Sequence, residues 1–97
     1  MGKGYVYAEI EVHDAEQYRA HYMTRSGPAV EAFGGRFVVR GGAAVVKTGP
    51  DVRRVVVAFE SVAQALAFYD SPAYQEAIRH RDRWATCLRY VVMEGID

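Results

Sequence analysis

The stretch "GGRFVVRGG", residues 34–42, has a short β-strand pattern between two glycine pairs. The aromatic and β-branched residues at 37–39 favour a strand. A strand that only filled a core would have little use for Arg40, which follows them. Gly41-Gly42 comes next, and a glycine pair inside a strand usually marks a bulge or a close approach of backbones. The stretch therefore predicts a strand whose arginine binds a ligand or an acidic side chain.

The segment before this strand predicts a strand and then a helix. Residues 5–12, "YVYAEIEV", alternate with period two, which is typical of a half-buried strand. Asp14 and Gln17 have the spacing of a capping box and begin the helix. We expect Gly27-Pro28 to interrupt or kink the helix and Gly34-Gly35 to end it.

The middle of the chain predicts a β-hairpin. We expect the second strand to run from Arg36 to about Lys47 and the third from Arg53 to Glu60. Residues 48–51, "TGPD", have the Gly-Pro chemistry of a turn. The two strands should therefore pair in antiparallel fashion.

The last part of the chain predicts two helices and a strand. Ser61 and Gln64 form a second capping box. Ser71-Pro72 begins another helix, because serine caps helices and proline is tolerated in the first turn. That helix should reach about Trp84, and residues 87–95, "CLRYVVMEG", form the final strand.

This order of elements predicts the fold class. Strand, helix, strand, strand, helix pair and strand make the split βαβ pattern of a ferredoxin-like α+β sandwich, here one domain over residues 1–97. Right-handed crossovers put the helices on one face of a four-stranded antiparallel sheet. Alternation should place Val39 and Leu88 on that face, and Val38 and Arg40 on the other.

The face away from the helices is too apolar to be left in water. Its expected apolar residues include Tyr5, Tyr7, Val56, Val91 and Met93. Burying each such side chain stabilises a protein by roughly 1.5–3 kcal/mol, and several exposed together indicate an interface. The sequence predicts a homodimer through this sheet face, a dimeric α/β barrel.

Composition and charge exclude several classes of partner. The 97 residues are 51% apolar and 25% charged, with 12 basic and 12 acidic side chains. This balance, without a long run of one sign, argues against binding to nucleic acid or an anionic membrane. No apolar run approaches the roughly 20 residues of a bilayer-spanning helix, and the start of the sequence lacks a signal-peptide pattern. We expect a cytoplasmic protein.

The sequence offers no metal or cofactor motif. Cys87 is the single cysteine, which excludes an intrachain disulfide and a cysteine-based metal cluster. His13, His21 and His80 lack the i, i+4 spacing of a helical metal site, and no glycine-rich loop joins a strand to a helix. We expect neither a metal nor a cofactor.

Motifs along nearly the whole chain carry a family resemblance. They are Asp14, Glu16 and Tyr18, then Gly34-Gly35, then Val39-Arg40-Gly41-Gly42, then Phe59 and Ser61, and finally Tyr69, Ser71, Pro72, Tyr74, Gln75 and Arg81. This pattern resembles the domain-of-unknown-function 1330 family of small dimeric α/β-barrel proteins. The resemblance implies the fold and the dimer, but no reaction. Two positions depart from the pattern: Ala15 replaces a proline, and His21 replaces a tyrosine of the expected pocket lining.

Arg40 is the first candidate ligand-binding residue. A guanidinium on the open face of the sheet would point into the dimer cavity or its mouth, where its planar fork could bind a carboxylate or enolate through two hydrogen bonds. The alternative is an ion pair with Glu9, Glu11 or Glu60, because a buried arginine must have a partner.

The remaining candidates lie on or beside the helices. Residues 69–74, "YDSPAY", place three of them around a helix break, and Arg81 follows two turns after Tyr74. The candidate ligand contacts here are Tyr18, Tyr69, Ser71, Tyr74 and Arg81. The alternative is that the tyrosines pack the helices on the sheet, Ser71 caps and Arg81 anchors the joint. His21 is the candidate general base, or else an ordinary helix-surface residue.

These residues predict a protein that binds a small acidic or carbonyl-bearing metabolite in a cavity between sheet and helices. Two alternatives stay open. One is a cofactor-independent monooxygenase-like or isomerase-like enzyme, suggested by the resemblance to dimeric barrels, and the other is a non-catalytic structural or regulatory dimer.

Overall fold

The computed structural model describes residues 2–46 and 48–97. Its elements are β1 (Gly4–Val12), α1 (Ala15–Tyr18), a π-helical turn (Arg19–Met23), α2 (Thr24–Ala32), β2 (Arg36–Arg40), β3 (Arg53–Phe59), α3 (Val62–Asp70), α4 (Pro72–Trp84) and β4 (Ala85–Glu94). The predicted order of strands and helices is confirmed.

Short polar side chains begin the helices, as the sequence indicates. The Asp14 carboxylate accepts a hydrogen bond of 3.1 Å from the backbone N–H of Gln17. Ser61 Oγ accepts one of 3.0 Å from the N–H of Gln64, and Ser71 Oγ caps α4 in the same way. Each cap satisfies an N–H that the first helical turn leaves free.

The four strands form one antiparallel sheet in the order β2-β3-β1-β4. Along β1 every second side chain is buried, with Val6, Ala8 and Ile10 between 2% and 4% exposed. They pack in one core with buried helix residues such as Ala29 and Phe68. The helices therefore cover one face, here called the helix face, and the ferredoxin-like α+β prediction is confirmed. The opposite side is called the open face.

The second strand is shorter than predicted, because it ends at Arg40. Gly41 follows with φ of +71°, a backbone conformation that turns the chain and suits glycine. Its N–H still donates a 2.8 Å hydrogen bond to the Arg54 carbonyl. The predicted end at Lys47 lies outside the described residues.

A register shift in β2 overturns the predicted direction of Arg40. Phe37 pairs with Val57, and Val39 pairs with the neighbouring Val56. Val38 is therefore an extra residue without a partner in β3. Such a bulge reverses the alternation beyond it. Arg40 therefore lies on the helix face, and its predicted place on the open face is wrong. Val39, predicted on the helix face, is 40% exposed on the open face.

A second register shift affects β4. Arg89 pairs with Glu9, but Cys87 pairs with Ile10, so Leu88 is the extra residue. Leu88 is 45% exposed, and its predicted burial against the helices is wrong. Tyr90, beyond the shift, is on the helix face because it pairs with Ala8.

The irregular part of the first helical region is also not where the sequence indicated. Helix α2 continues through Pro28, and a π-helical turn precedes it. Residues spaced by four drift around a regular α-helix, because it has 3.6 residues per turn. The wider π-helical turn corrects this drift and keeps such residues on one side. Tyr18, Tyr22 and Ser26 are consequently all buried.

Within residues 2–46 and 48–97, no helix has the length and apolar character needed to cross a bilayer. The cytoplasmic location stays a prediction.

Candidate functional site

A pocket lies between the helix face of the sheet and the helices above it. It contains roughly 430 Å³ of space between atoms, counting the part open to solvent, and about 30 Å³ of this accepts the centres of water molecules. Its polar lining residues are Tyr18, Tyr22, Ser26, Arg40, Arg53, Tyr74 and Tyr90. None of its described lining residues carries a carboxylate. The pocket is therefore rich in hydrogen-bond donors and positive charge.

The strand register arranges the floor of this pocket. Arg40 pairs with Val55, Val55 with Ala8, and Ala8 with Tyr90, so these four residues form a row across the sheet. Neighbouring strands are about 4.8 Å apart, which separates the backbones of Arg40 and Tyr90 by about 14 Å. The row has a charged group at one end, a phenol at the other, and small apolar side chains between them.

Arg40 and Arg53 form the first end of the pocket, here called the arginine end. The Arg40 guanidinium lies 4.0 Å above the ring of Phe37, and that of Arg53 lies 5.7 Å from the ring of Tyr18. Arg53 Nε is buried and has no hydrogen-bond partner among the described residues. A Cβ on Gly41 would collide with the Arg53 guanidinium. The glycine that follows β2 thus makes room for this arginine.

Tyr22, Tyr74 and Tyr90 form the second end, here called the tyrosine end. The hydroxyls of Tyr22 and Tyr74 are hydrogen-bonded at 2.8 Å. The ring of Tyr90 packs 6.1 Å from that of Tyr74, and its hydroxyl is buried without a partner in the described part of the chain. The unpartnered Tyr90 hydroxyl is therefore the one available to a ligand.

Arg81 lies behind the tyrosine end. It is 7% exposed, with its guanidinium 5.9 Å from the ring of Tyr22. Its Nε donates to the exposed Asp82 carboxylate at 3.2 Å, while Nη1 is buried and unpartnered among the described residues. Burial lowers the pKa of Arg81, but nearby Tyr74, Cys87, Tyr22 and Asp82 raise that pKa by more, so the group stays charged.

Burial keeps the tyrosines protonated. It raises the pKa of Tyr18 to about 12, and it raises the pKa values of Tyr22, Tyr74 and Tyr90 above the usual value of 10. A hydroxyl that is neutral at physiological pH donates a hydrogen bond and does not repel an anion. The tyrosine end is thus a neutral donor site with a positive charge behind it.

The structure brings together only some of the residues singled out from the sequence. Tyr18, Arg40 and Tyr74 line the pocket, and Arg81 adjoins its tyrosine end. Tyr69 is one layer behind, with its ring 5.0 Å from that of Tyr90.

Ser71 and His21 lie outside the lining. Ser71 Oγ caps α4 and donates a 2.7 Å hydrogen bond to the Phe68 carbonyl. The His21 ring stacks 6.1 Å from that of His80 and 6.2 Å from that of Trp84, and none of the three lines the pocket. Neither residue is placed to contact a molecule in the pocket.

Four polar lining residues were not identified as site residues from the sequence. They are Tyr22, Ser26, Arg53 and Tyr90. The first two follow Tyr18 at intervals of four, which was a usable signal. Arg53 looked like an ordinary strand start, and nothing local linked it to Gly41. Tyr90 lies in the segment predicted as the final strand, and nothing local marked it as a pocket residue.

The described residues contain no group of three His, Cys, Asp or Glu side chains that could hold a metal ion.

The family of the chain follows from a match over residues 3–96 to the model described as Domain of unknown function (DUF1330). The chain belongs to the DUF1330 family. The resemblance seen in the sequence motifs is thereby confirmed. None of the curated proteins matches the chain.

Solved structures share the DUF1330 chain's fold. A protein of unknown function from Rhodopseudomonas palustris is 22% identical, with a TM-score of 0.74 over 99% of this chain and 84% of that one. A protein from Nitrosomonas europaea, proposed to be an antibiotic biosynthesis monooxygenase, is 16% identical, with a TM-score of 0.55 over 99% and 93%. A dimeric ferredoxin-like protein of unknown function from Thermobifida fusca is 15% identical, with a TM-score of 0.52 over 98% and 92%. At these identities the likeness concerns the fold alone.

Proposed function

We propose that this DUF1330 protein binds a small organic anion, an acidic or carbonyl-bearing metabolite, in the pocket between sheet and helices. One observation carries the proposal: three buried donor atoms in or beside the pocket have no partner among the described residues. They are Arg53 Nε, Arg81 Nη1 and the Tyr90 hydroxyl.

The cost of leaving such donors unsatisfied supports the proposal. A buried donor without an acceptor costs about 1–3 kcal/mol, and more when it is charged. Water can reduce this cost, but a carboxylate or enolate supplies both acceptor atoms and the missing negative charge. Arg40 and Arg53 both line the pocket and offer two guanidinium groups to such an anion.

The ion-pair alternative for Arg40 loses one of its three expected partners. Glu9 is on the open face, where it bonds Arg89 Nε at 3.3 Å and accepts from Tyr7 Oη at 2.6 Å. Because Arg40 is on the helix face, the sheet separates the two side chains. This arrangement favours a ligand-binding role for Arg40.

The experiment is a binding screen of small carboxylic acids by thermal shift and isothermal titration calorimetry. A bound acid should raise the melting temperature, because it stabilises only the folded state. Arg53→Ala and Arg40→Ala should each reduce the shift strongly. Arg79→Ala is the matched control, since that side chain is 79% exposed and pairs with Glu76. Equal shifts in all variants, or none in the wild type, would contradict the proposal.

We also propose that two copies pair through their open faces. Val38, Val39, Leu88, Val91 and Met93 are between 38% and 49% exposed there, and such a group indicates an interface. The description of the Thermobifida fusca protein as dimeric is consistent with this pairing. Analytical ultracentrifugation at micromolar concentration should find a dimer, and a monomer would contradict the proposal.

A proton-transfer enzyme is the second candidate function. The free O–H at the tyrosine end, with the charged Arg81 behind it, would donate a proton to the carbon of a bound enolate, and the tyrosinate that remains would take a proton from water. In the reverse direction the tyrosinate would remove the α-proton of a bound keto acid. Proton exchange of a bound keto acid in D₂O, followed by NMR, would favour this enzyme over a protein that only binds. The structural-dimer alternative predicts no ligand effect in either assay.

A further inference from the structure

The two ends of the pocket differ in charge and in hydrogen-bonding chemistry. The arginine end carries two full positive charges and has its exposed member, Arg40, at the mouth. The tyrosine end offers neutral hydroxyls, and Arg81 reaches it only from behind. A full negative charge is bound best by a guanidinium fork, whereas a neutral or enolic oxygen needs only a donated hydrogen bond.

Between these ends the pocket is apolar. The floor consists of Ala8 and Val55 at the level of the row, with Val57 beside them. Phe68 and Val30 belong to the same lining. A charged group would have no polar partner in this middle section. Because the pocket leaves only about 30 Å³ open to water centres, a thin, flat apolar group suits it better than a bulky one.

From this arrangement we infer that the ligand is a flat hydroxy- or keto-carboxylate. Its carboxylate binds at the arginine end, its second oxygen accepts from the tyrosine end, and a planar unsaturated or aromatic middle lies over Ala8 and Val55. This inference rests on the proposed function, to which it adds the class of ligand.

Ligand entry requires side chains at the mouth to move. The space open to water centres, about 30 Å³, holds one or two waters. Arg40 is exposed and Met23 is half-buried, and both are long side chains without branches. Displacement of these two side chains would widen the space at the mouth.

The inference is tested with three probes that differ in one group each. They are 4-hydroxybenzoate, which has both oxygen ends, benzoate, which lacks the hydroxyl, and 4-hydroxybenzamide, which lacks the charge. Calorimetry at matched ionic strength should show 4-hydroxybenzoate binding about tenfold more tightly than benzoate, the size expected for one buried hydrogen bond. The benzamide should bind more weakly than either acid.

Two variants test which end of the pocket causes each difference in probe affinity. Tyr90→Phe should remove the preference for the hydroxyl and leave benzoate affinity unchanged. Arg53→Ala should weaken both acids by a similar factor and keep the preference. Tyr7→Phe is the control for the loss of a hydroxyl, because Tyr7 bonds Glu9 on the open face. Circular dichroism melts confirm that each variant is folded.

The outcomes separate the inference from the proposed function. Equal affinity for both acids, or a preference that survives in Tyr90→Phe, would overturn the two-ended ligand while leaving an anion site in place. Binding of none of the three probes nor of any acid in the screen would overturn both, and would assign water alone to the pocket.

Discussion

The two faces of the sheet lack different kinds of interaction partner. On the open face the polar groups of Arg89, Glu9 and Tyr7 are paired with one another, but apolar side chains such as Val91 and Met93 are exposed. On the helix face the apolar side chains are buried, but donors of Arg53 and Tyr90 lack partners in the described part of the chain. One face needs apolar cover and the other needs an acceptor. In the proposed account, a second copy of the chain covers the open face and a small anion supplies the acceptor on the helix face.

The largest expected difference is in how much a substitution on each face changes the unfolding free energy of the protein. Phe68 is 2% exposed, and its ring packs 4.2 Å from that of Tyr74. Phe68→Ala should cost about 3–5 kcal/mol of unfolding free energy, because it leaves a cavity between the helices and the sheet. Met93→Ala should change the unfolding free energy of dissociated subunits by less than about 0.5 kcal/mol. Urea denaturation at nanomolar protein concentration measures both, and equal costs would contradict the contrast.

The next effect concerns the open face and its proposed partner. Val91 is 38% exposed, and a twofold interface would bury it in both subunits. Val91→Arg should weaken the dimer by about 3 kcal/mol or more, since two apolar contacts of roughly 1.5–3 kcal/mol are lost. Sedimentation should then show monomers.

The control for this charge insertion is Ala63→Arg, at an exposed position of α3, which should stay dimeric. Anion binding should persist in the Val91→Arg variant. A variant that sediments like the wild type would contradict pairing through the open face.

A smaller effect comes from pH on the helix face. The pKa of Tyr18 is about 12 in the folded protein and about 10 when unfolded. The folded state thus holds the proton more tightly, so this stabilisation is present below pH 10 and is lost as the pH rises from 10 to 12. The loss should reach about 2–3 kcal/mol.

Urea titrations at pH 9 and pH 11.5 measure this dependence. Tyr18→Phe cannot ionise, so its unfolding free energy should fall by less over the same range. A decline as steep as that of the wild type would show that Tyr18 is not the group responsible.

The smallest effect sharpens the account of the arginine end. Gly41 has φ of +71°, and a Cβ there would meet the Arg53 guanidinium. Gly41→Ala should cost about 1–2 kcal/mol from the backbone conformation and should weaken binding of carboxylates by displacing Arg53. At Gly42 a Cβ would meet nothing within 4 Å, so Gly42→Ala should change neither property. Similar behaviour of the two variants would refute the role assigned to Gly41.

The sequence was a good guide where local chemistry decides the structure. Asp14, Ser61 and Ser71 begin helices because a short polar side chain satisfies a free N–H in any context. The order of elements then limits the topology to a few choices. In these respects the fold was predictable from the sequence alone.

The site was less predictable because two bulges decide which side chains face the helices. The extra residues Val38 and Leu88 depend on how β2 and β4 pair with their neighbours, which no local pattern records. Arg40 was therefore expected on the wrong face. Arg53 was missed because its surroundings come from Gly41 and Tyr18, which are distant in the sequence.

The most direct test of the anion pocket observes the unpartnered donor itself. In a ¹H–¹⁵N NMR spectrum the Nε–H signal of Arg53 can be assigned by its loss in Arg53→Lys. Titration with benzoate should shift this signal progressively and slow its exchange with water, because the carboxylate becomes its acceptor. A signal that is unchanged up to the highest benzoate concentration would contradict the account.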